Sequence, residues 1–144
     1  MMTLVMNAEE AVLEANRRFY RALTELNLEA MASVWLEEPW IRCIHPGWPM
    51  LTGWHDVMES WRRIFENTVK HRVSPDDVSV RLFSDLAWVL CVERINVSSP
   101  AGDRFSFAQG TNLFLTTGSG WRMVLHHASL LPVEGAPEPP PTVH

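Results

Sequence analysis

Four side chains in the sequence are of types that move protons or hold a developing negative charge: His45, Glu93, Asn112 and His127. An imidazole titrates near neutral pH, so His45 and His127 suit general acid or base work. Glu93 placed beside a histidine would raise that histidine's pKa. Asn112 has an amide to offer a developing oxyanion. Each residue also has a plainer role. His45 would bond the Pro46-Gly47 turn, His127 would be a core histidine paired with Glu93, and Asn112 would hold a backbone carbonyl.

Trp40, Trp48 and Trp54 gather around the Pro46-Gly47 loop, where an aromatic rim suits a flat or apolar ligand, or a cationic one through its ring faces. Trp61, Phe19 and Ser129 complete the expected lining of a site for a small apolar or cyclic molecule. No metal or cofactor is expected. The adjacent His126 and His127 point to opposite faces of a strand and cannot share one ion. Only a set drawn from His45, Glu93 and His127 offers a geometric route to a metal. Cys43 and Cys91 sit in apolar strand patterns, where buried thiols are inert.

The elements that must position these groups are legible in the spacing. Asn7 with Glu10 makes a capping-box-like start. Ala11, Val12, Ala15, Phe19, Ala22, Leu23 and Leu26 follow at helical period. That period turns Tyr20 away from the apolar stripe. A short helix begins near Asn27, with Leu28, Met31, Ala32 and Trp35 on its apolar face, and Pro39 stops it. Trp40 to His45 is an apolar, strand-compatible run. Gly53 precedes a third helix with the stripe Trp54, Val57, Met58, Trp61, Ile64 and Phe65. Beyond Pro75 the period becomes that of strands, expected near 78–83, 86–97, 104–117 and 121–131. Helices first and antiparallel strands after them predict an α+β fold.

Taking Ser84-Asp85 as a two-residue hairpin loop, with even-numbered loops after it, sorts the strands into two faces. One carries Val78, Val80, Leu82, Ala87, Val89, Cys91, Glu93, Ala108, Gly110, Asn112, Phe114, Met123, Leu125, His127 and Ser129. Its small residues and three polar groups predict a ligand pocket under the helices. The other carries Phe83, Trp88, Leu90, Phe105, Phe107, Val124, His126 and Leu130, fringed with Arg81, Arg94 and Arg122. Helices can cover only one face. A second copy of the chain is the simplest cover for the other, with Trp88 as an anchor, so a homodimer through the outer sheet face is expected.

Composition bounds the rest. The chain has 144 residues, 47% hydrophobic and 20% charged, with seven Trp, six Phe and one Tyr. That is one domain with a sizeable core. A formal charge of −5 with 12 Lys+Arg and no basic run argues against nucleic acid. No apolar stretch is long enough to span a membrane. The N-terminus lacks the pattern of a signal peptide, and two isolated cysteines suit a reducing cytoplasm. The expected folded unit is 7–131, and 132–144 reads as a Pro-rich mobile tail.

Several runs together carry a family resemblance. They are Ala15-Asn16-Arg17-Arg18-Phe19-Tyr20, Cys43-Ile44-His45-Pro46-Gly47-Trp48, Gly53 leading to Ser60-Trp61, Thr111-Asn112, and Trp121 to Ser129. Over about 8–131 the chain resembles the SnoaL-like branch of the nuclear transport factor 2-like superfamily. The resemblance implies a cone-shaped α+β barrel, a curved sheet around a long helix with a pocket, and frequent dimers. Relatives include polyketide cyclases, ketosteroid isomerase, scytalone dehydratase, limonene epoxide hydrolase, and binding or assembly domains. Against the isomerase pattern, His45 stands where the base is an Asp before Pro. Phe19 stands at the oxyanion Tyr, and Asn112 at the protonated Asp. The resemblance therefore implies either His-based acid–base chemistry of the lyase, isomerase or cyclase kind, or a non-catalytic ligand-binding or dimerisation module.

Overall fold

The computed structural model describes residues 6–132. Helix α1 (Ala8–Glu25) starts where the Asn7 side chain accepts from the Glu10 amide at 2.8 Å. It ends at Leu26, whose left-handed backbone lets its N–H reach back to Ala22 and Leu23. Asn27 then caps α2 (Leu28–Val34) in the same way. A short β1 (Arg42–Ile44) and β2 (Leu51–Thr52) flank the Pro46-Gly47 turn. Gly53, at φ +91°, leads into α3 (Trp54–Glu66). An added Cβ there would meet the Pro39 carbonyl at 3.3 Å, so both conformation and space favour glycine.

Four long strands follow: β3 (His71–Phe83), β4 (Leu86–Ser99), β5 (Gly102–Thr117) and β6 (Gly120–Leu130). The six strands form one open mixed sheet in the order β2-β1-β6-β5-β4-β3, with β1 parallel to β6 and every other pair antiparallel. Helix α1 lies across the inner face of the sheet against β3, β4 and β6. The core fills the space between them, with Val12, Phe19, Met31, Ile41, Val57, Trp61, Val89, Phe114 and Met123 buried. Among the described residues no helix is long and apolar enough to cross a membrane.

Two features depart from the expected strands. β3 begins at His71 and runs through Pro75, which pairs opposite Glu93. β3 is an edge strand, where a residue without an N–H is tolerated. Its register slips between Asp76 and Ser79, with Asp77 at φ +49°, and Val78 is exposed rather than inward. In β6 the partners run Leu113↔Leu125 and then Phe114↔Met123, so Val124 is an extra residue. Met123 and Val124 are both buried, and beyond them the alternation inverts. His126 and Ala128 therefore face the core, and His127 and Ser129 face solvent. This corrects the inward placement of Leu125, His127 and Ser129. The Pro-rich segment lies outside the described residues except for Pro132.

Candidate functional site

The inner face of the sheet brings six polar side chains together under α1. Glu93 comes from the middle of β4, Asn112 from β5, His126 from β6, and Asn16 and Tyr20 from one face of α1, four residues apart. Cys91 sits two residues before Glu93 on the same face of β4. The Tyr20 hydroxyl donates to Glu93 Oε2 at 2.7 Å. Since that uses its one proton, the Cys91 thiol at 3.1 Å donates to it. Asn112 Nδ2 donates to Tyr20 Oη at 3.1 Å and to Asn16 Oδ1 at 2.8 Å. Its remaining oxygen accepts from His126 Nδ1–H at 2.6 Å.

This pattern sets the His126 tautomer. Nδ1 carries the proton and Nε2 presents a bare lone pair, 3.9 Å from Glu93 Oε2. The distance suggests an ion pair, but burial opposes charge on both partners. Desolvation pushes the Glu93 carboxyl up to about 7. Desolvation, with His45 and His127 adding, lowers His126 to about 3. Near neutral pH the imidazole is uncharged and the carboxyl sits at the middle of its titration. Gly110 makes the arrangement possible, because an added Cβ would stand 3.1 Å from both Glu93 Oε2 and Tyr20 Oη.

His45 forms a second, adjoining polar centre. It lies just past β1, in phase with Cys43, which is the register partner of His126. Ser60 on α3 gives its proton to the Val57 carbonyl at 2.6 Å, so His45 Nε2–H donates to Ser60 Oγ at 2.8 Å. The other nitrogen, Nδ1, has only Cys43 Sγ, at 3.9 Å. Burial lowers His45 to about 4. Trp61 stands between the two centres, 4.5 Å from the His45 ring and 6.0 Å from the His126 ring by centroid. Its buried indole N–H has no hydrogen-bond partner.

The expected site residues fall into three groups. Glu93, Asn112, His45, Trp61 and Phe19 come together in the interior, with the Phe19 ring 4.7 Å from that of His126. Trp48 packs edge-on against His45 at 4.9 Å. Trp40, Trp54, His127 and Ser129 do not join them. Trp40 is largely exposed, Trp54 lines a surface cleft with Glu37, Glu38 and His55, and His127 and Ser129 point outward. Tyr20 corrects the helical reading: it is 2% exposed and central.

His126, Tyr20, Asn16 and Ser60 were missed. The Asn16/Tyr20 spacing was a usable signal, as was the unbroken apolar run Met123-Val124-Leu125, which no strand can alternate. Among the described residues no group of three or more His, Cys, Asp or Glu is placed to hold a metal ion.

The cluster is sealed: His45, Glu93, Asn112 and His126 are each under a twentieth exposed. Tyr20, equally buried, is also among the residues that line a cleft of about 460 Å³ between α1 and β3.

Comparison with known proteins agrees with this architecture. The profile of the SnoaL-like domain matches residues 12–134. The F-box protein SKIP8 of Arabidopsis thaliana is 29% identical over 124 residues, which cover 86% of this chain and 51% of that protein. The chain thus spans about half the length of the curated relative it matches. A Streptomyces avermitilis structure named as a candidate dehydratase of the NTF2-like family superposes with a TM-score of 0.80 at 32% identity, covering 85% of this chain and 95% of that one. A Thiobacillus denitrificans structure named as a candidate calcium/calmodulin-dependent protein kinase type II association domain gives 0.75 at 30%, covering 82% and 93%.

Proposed function

The chain belongs to the SnoaL-like domain family, and on that footing we propose that its interior is a proton-transfer site of the lyase or isomerase type for a small apolar or carbonyl-bearing molecule. The observation that carries this reading is the Glu93 carboxyl, held by Tyr20 at 2.7 Å and facing the bare Nε2 of His126 at 3.9 Å. The buried Trp61 N–H beside it is unpartnered, as are those of Trp35 and Trp54 elsewhere in the fold, and it is the one that lies next to the cluster.

In a dehydration, the ionised form of Glu93, which is populated near neutral pH, takes a proton from the carbon beside a carbonyl and passes it to the departing hydroxyl. Water leaves, a carbon–carbon double bond forms, and the Glu93 carboxylate is returned to its starting state. Asn112 holds the His126 ring, His45 is the second imidazole, and the Trp61 N–H is a donor for the carbonyl. The closed cluster requires an opening step on this reading, and Tyr20 is its outlet. The name of the Streptomyces relative supports the reaction class. The two free, buried cysteines support a reducing, cytoplasmic setting.

The test is solvent deuterium exchange into the carbon beside the carbonyl of cyclohexanone. The wild-type chain should accelerate it, and Glu93→Gln should lower the acceleration roughly 10²-fold. Equal rates for the two would refute the site.

A second reading, association through the outer sheet face, is favoured by the exposure of Phe83, Trp88, Phe105, Phe107 and Leu130. The association-domain name of the Thiobacillus relative supports it. Light scattering at micromolar concentration should give twice the chain mass, and a clean monomer would sink this reading.

A further inference from the structure

The cleft between α1 and β3 differs in sign from the rest of the molecule. The chain carries −5 overall. The cleft is lined by Arg17 and Arg21 from α1 and Arg72 from β3, with Glu25 as its one acidic residue. Arg17 and Arg21 are four residues apart on one helix face, an arrangement that destabilises a helix unless a counter-charge is present. Arg17 has Glu14 at 3.0 Å. Among the described residues, neither Arg21 nor Arg72 has an ion-pair partner.

The walls of the cleft are firm. Thr24 Oγ1 accepts from the Val73 amide at 2.9 Å and donates to the Val73 carbonyl at 3.1 Å, and His71 Nε2 donates to the Leu23 carbonyl at 2.7 Å. These bonds fix α1 to β3 at the cleft, so the guanidinium groups project from a rigid frame. The volume of about 460 Å³ is that of a small-molecule site.

The cleft is also connected to the interior. Tyr20 lines it, and the Tyr20 hydroxyl is the donor to Glu93. A molecule anchored at the arginines therefore lies one side chain away from the buried carboxyl.

We propose that this cleft binds the carboxylate of a small organic acid, with Arg21 and Arg72 as its anchors, and that such acids are the substrate class of the interior site. The inference rests on the proton-transfer reading for the second clause alone. Guanidinium groups favour carboxylates because two parallel N–H donors match two oxygens. Arg21 and Arg72 are positioning residues for the substrate, outside the proton-moving set.

Benzoate is the probe, with benzamide as its uncharged counterpart of the same shape. Amide NMR titration of the whole chain should show benzoate shifting Tyr20, Thr24, Arg72 and Ser74 together, with little response to benzamide. The Arg21→Ala, Arg72→Ala double variant should weaken benzoate at least tenfold. Both arginines are exposed, so the variant should keep the wild-type melting point. Arg72→Lys should recover part of the affinity. Glu93→Gln should bind benzoate like wild type, which separates this proposal from the chemistry. Loss of deuterium exchange activity would leave the cleft standing, and loss of benzoate binding would leave Glu93 standing. Unchanged benzoate affinity in the double variant overturns the proposal. Inorganic phosphate binding as tightly as benzoate, on the same amides, overturns the carboxylate assignment.

Discussion

The two faces of one sheet solve opposite problems. The inner face under α1 holds Cys91, Glu93, Asn112 and His126, buried and bonded to one another and to Asn16 and Tyr20. The outer face shows Trp88, Phe105 and Phe107 to water, on the same strands and at neighbouring positions. Asn112 is 0% exposed, while Trp88, near it on the adjoining strand, is 37% exposed. Polarity alone therefore does not decide which side of this sheet is dry. The face against the helix is dry, and polar groups persist there because Tyr20, Glu93, Asn16, Asn112 and His126 bond to one another. The outer face keeps its apolar groups wet unless another surface covers them.

Substitutions can break this contrast, beginning inside. Asn112→Ala should have the largest effect. It strands His126 Nδ1–H and removes donors from Asn16 and Tyr20, so a loss of roughly 3–5 kcal/mol in chemical denaturation is expected. If the loss is under about 1 kcal/mol, the inner network is not a coupled unit.

Glu93→Gln should act next, through pH. The folded carboxyl titrates at about 7, above its ordinary value of 4.5. The folded state therefore retains a proton that the unfolded chain releases. Stability falls as pH rises from about 4.5 to 7 and stays lower above that. His45 and His126 titrate at about 4 and about 3, below their ordinary 6.5. They prefer to be neutral when folded, so stability falls as pH drops below about 6.5. Glu93→Gln removes only the first effect. Its stability relative to wild type should improve between pH 5 and pH 8, by up to about 3 kcal/mol on the pKa displacement. A difference that does not change with pH would return the proton to His126.

Gly110→Ala should cost about 1–3 kcal/mol, because its Cβ presses on both Glu93 and Tyr20. A thermal melt should show the loss, and Ala in place of Gly118, where the space is open, is the control. On the outer face, Trp88→Ala should change the isolated chain's stability by less than about 1 kcal/mol while weakening self-association. His127→Ala should be smallest, within about 0.5 kcal/mol, since the ring lies outside.

Much of the frame is readable from local signals. Asn7 and Asn27 announce their helices, Gly53 marks the start of α3, and the Ser84-Asp85 turn sets the pairing that puts Val89, Cys91 and Glu93 inside. The inward set holds through Asn112 and Phe114 up to Met123. It fails at Val124, because alternation cannot foresee an extra residue that is itself apolar. It fails earlier in β3, where the slip around Asp77 leaves Val78 exposed, and Leu82 near the end of this edge strand is exposed as well. Tyr20 was hidden differently. The apolar stripe of α1 counts carbon and passes over a hydroxyl, but helix and sheet enclose Asn16 and Tyr20 from two sides. Their burial follows from tertiary contact with β4 and β5, which the helix's own period does not contain.

The bulge at Val124 gives the histidine doublet a meaning of its own. With two imidazoles in succession, the strand would present one to the interior whether or not the extra residue were there: His126 with it, His127 without it. A single-residue deletion upstream would exchange outward and inward neighbours along β6, yet the interior would still receive an imidazole. Without the extra residue, however, that imidazole would be His127 opposite Gly110, so it is the bulge that sets the inward ring against its Asn112 acceptor.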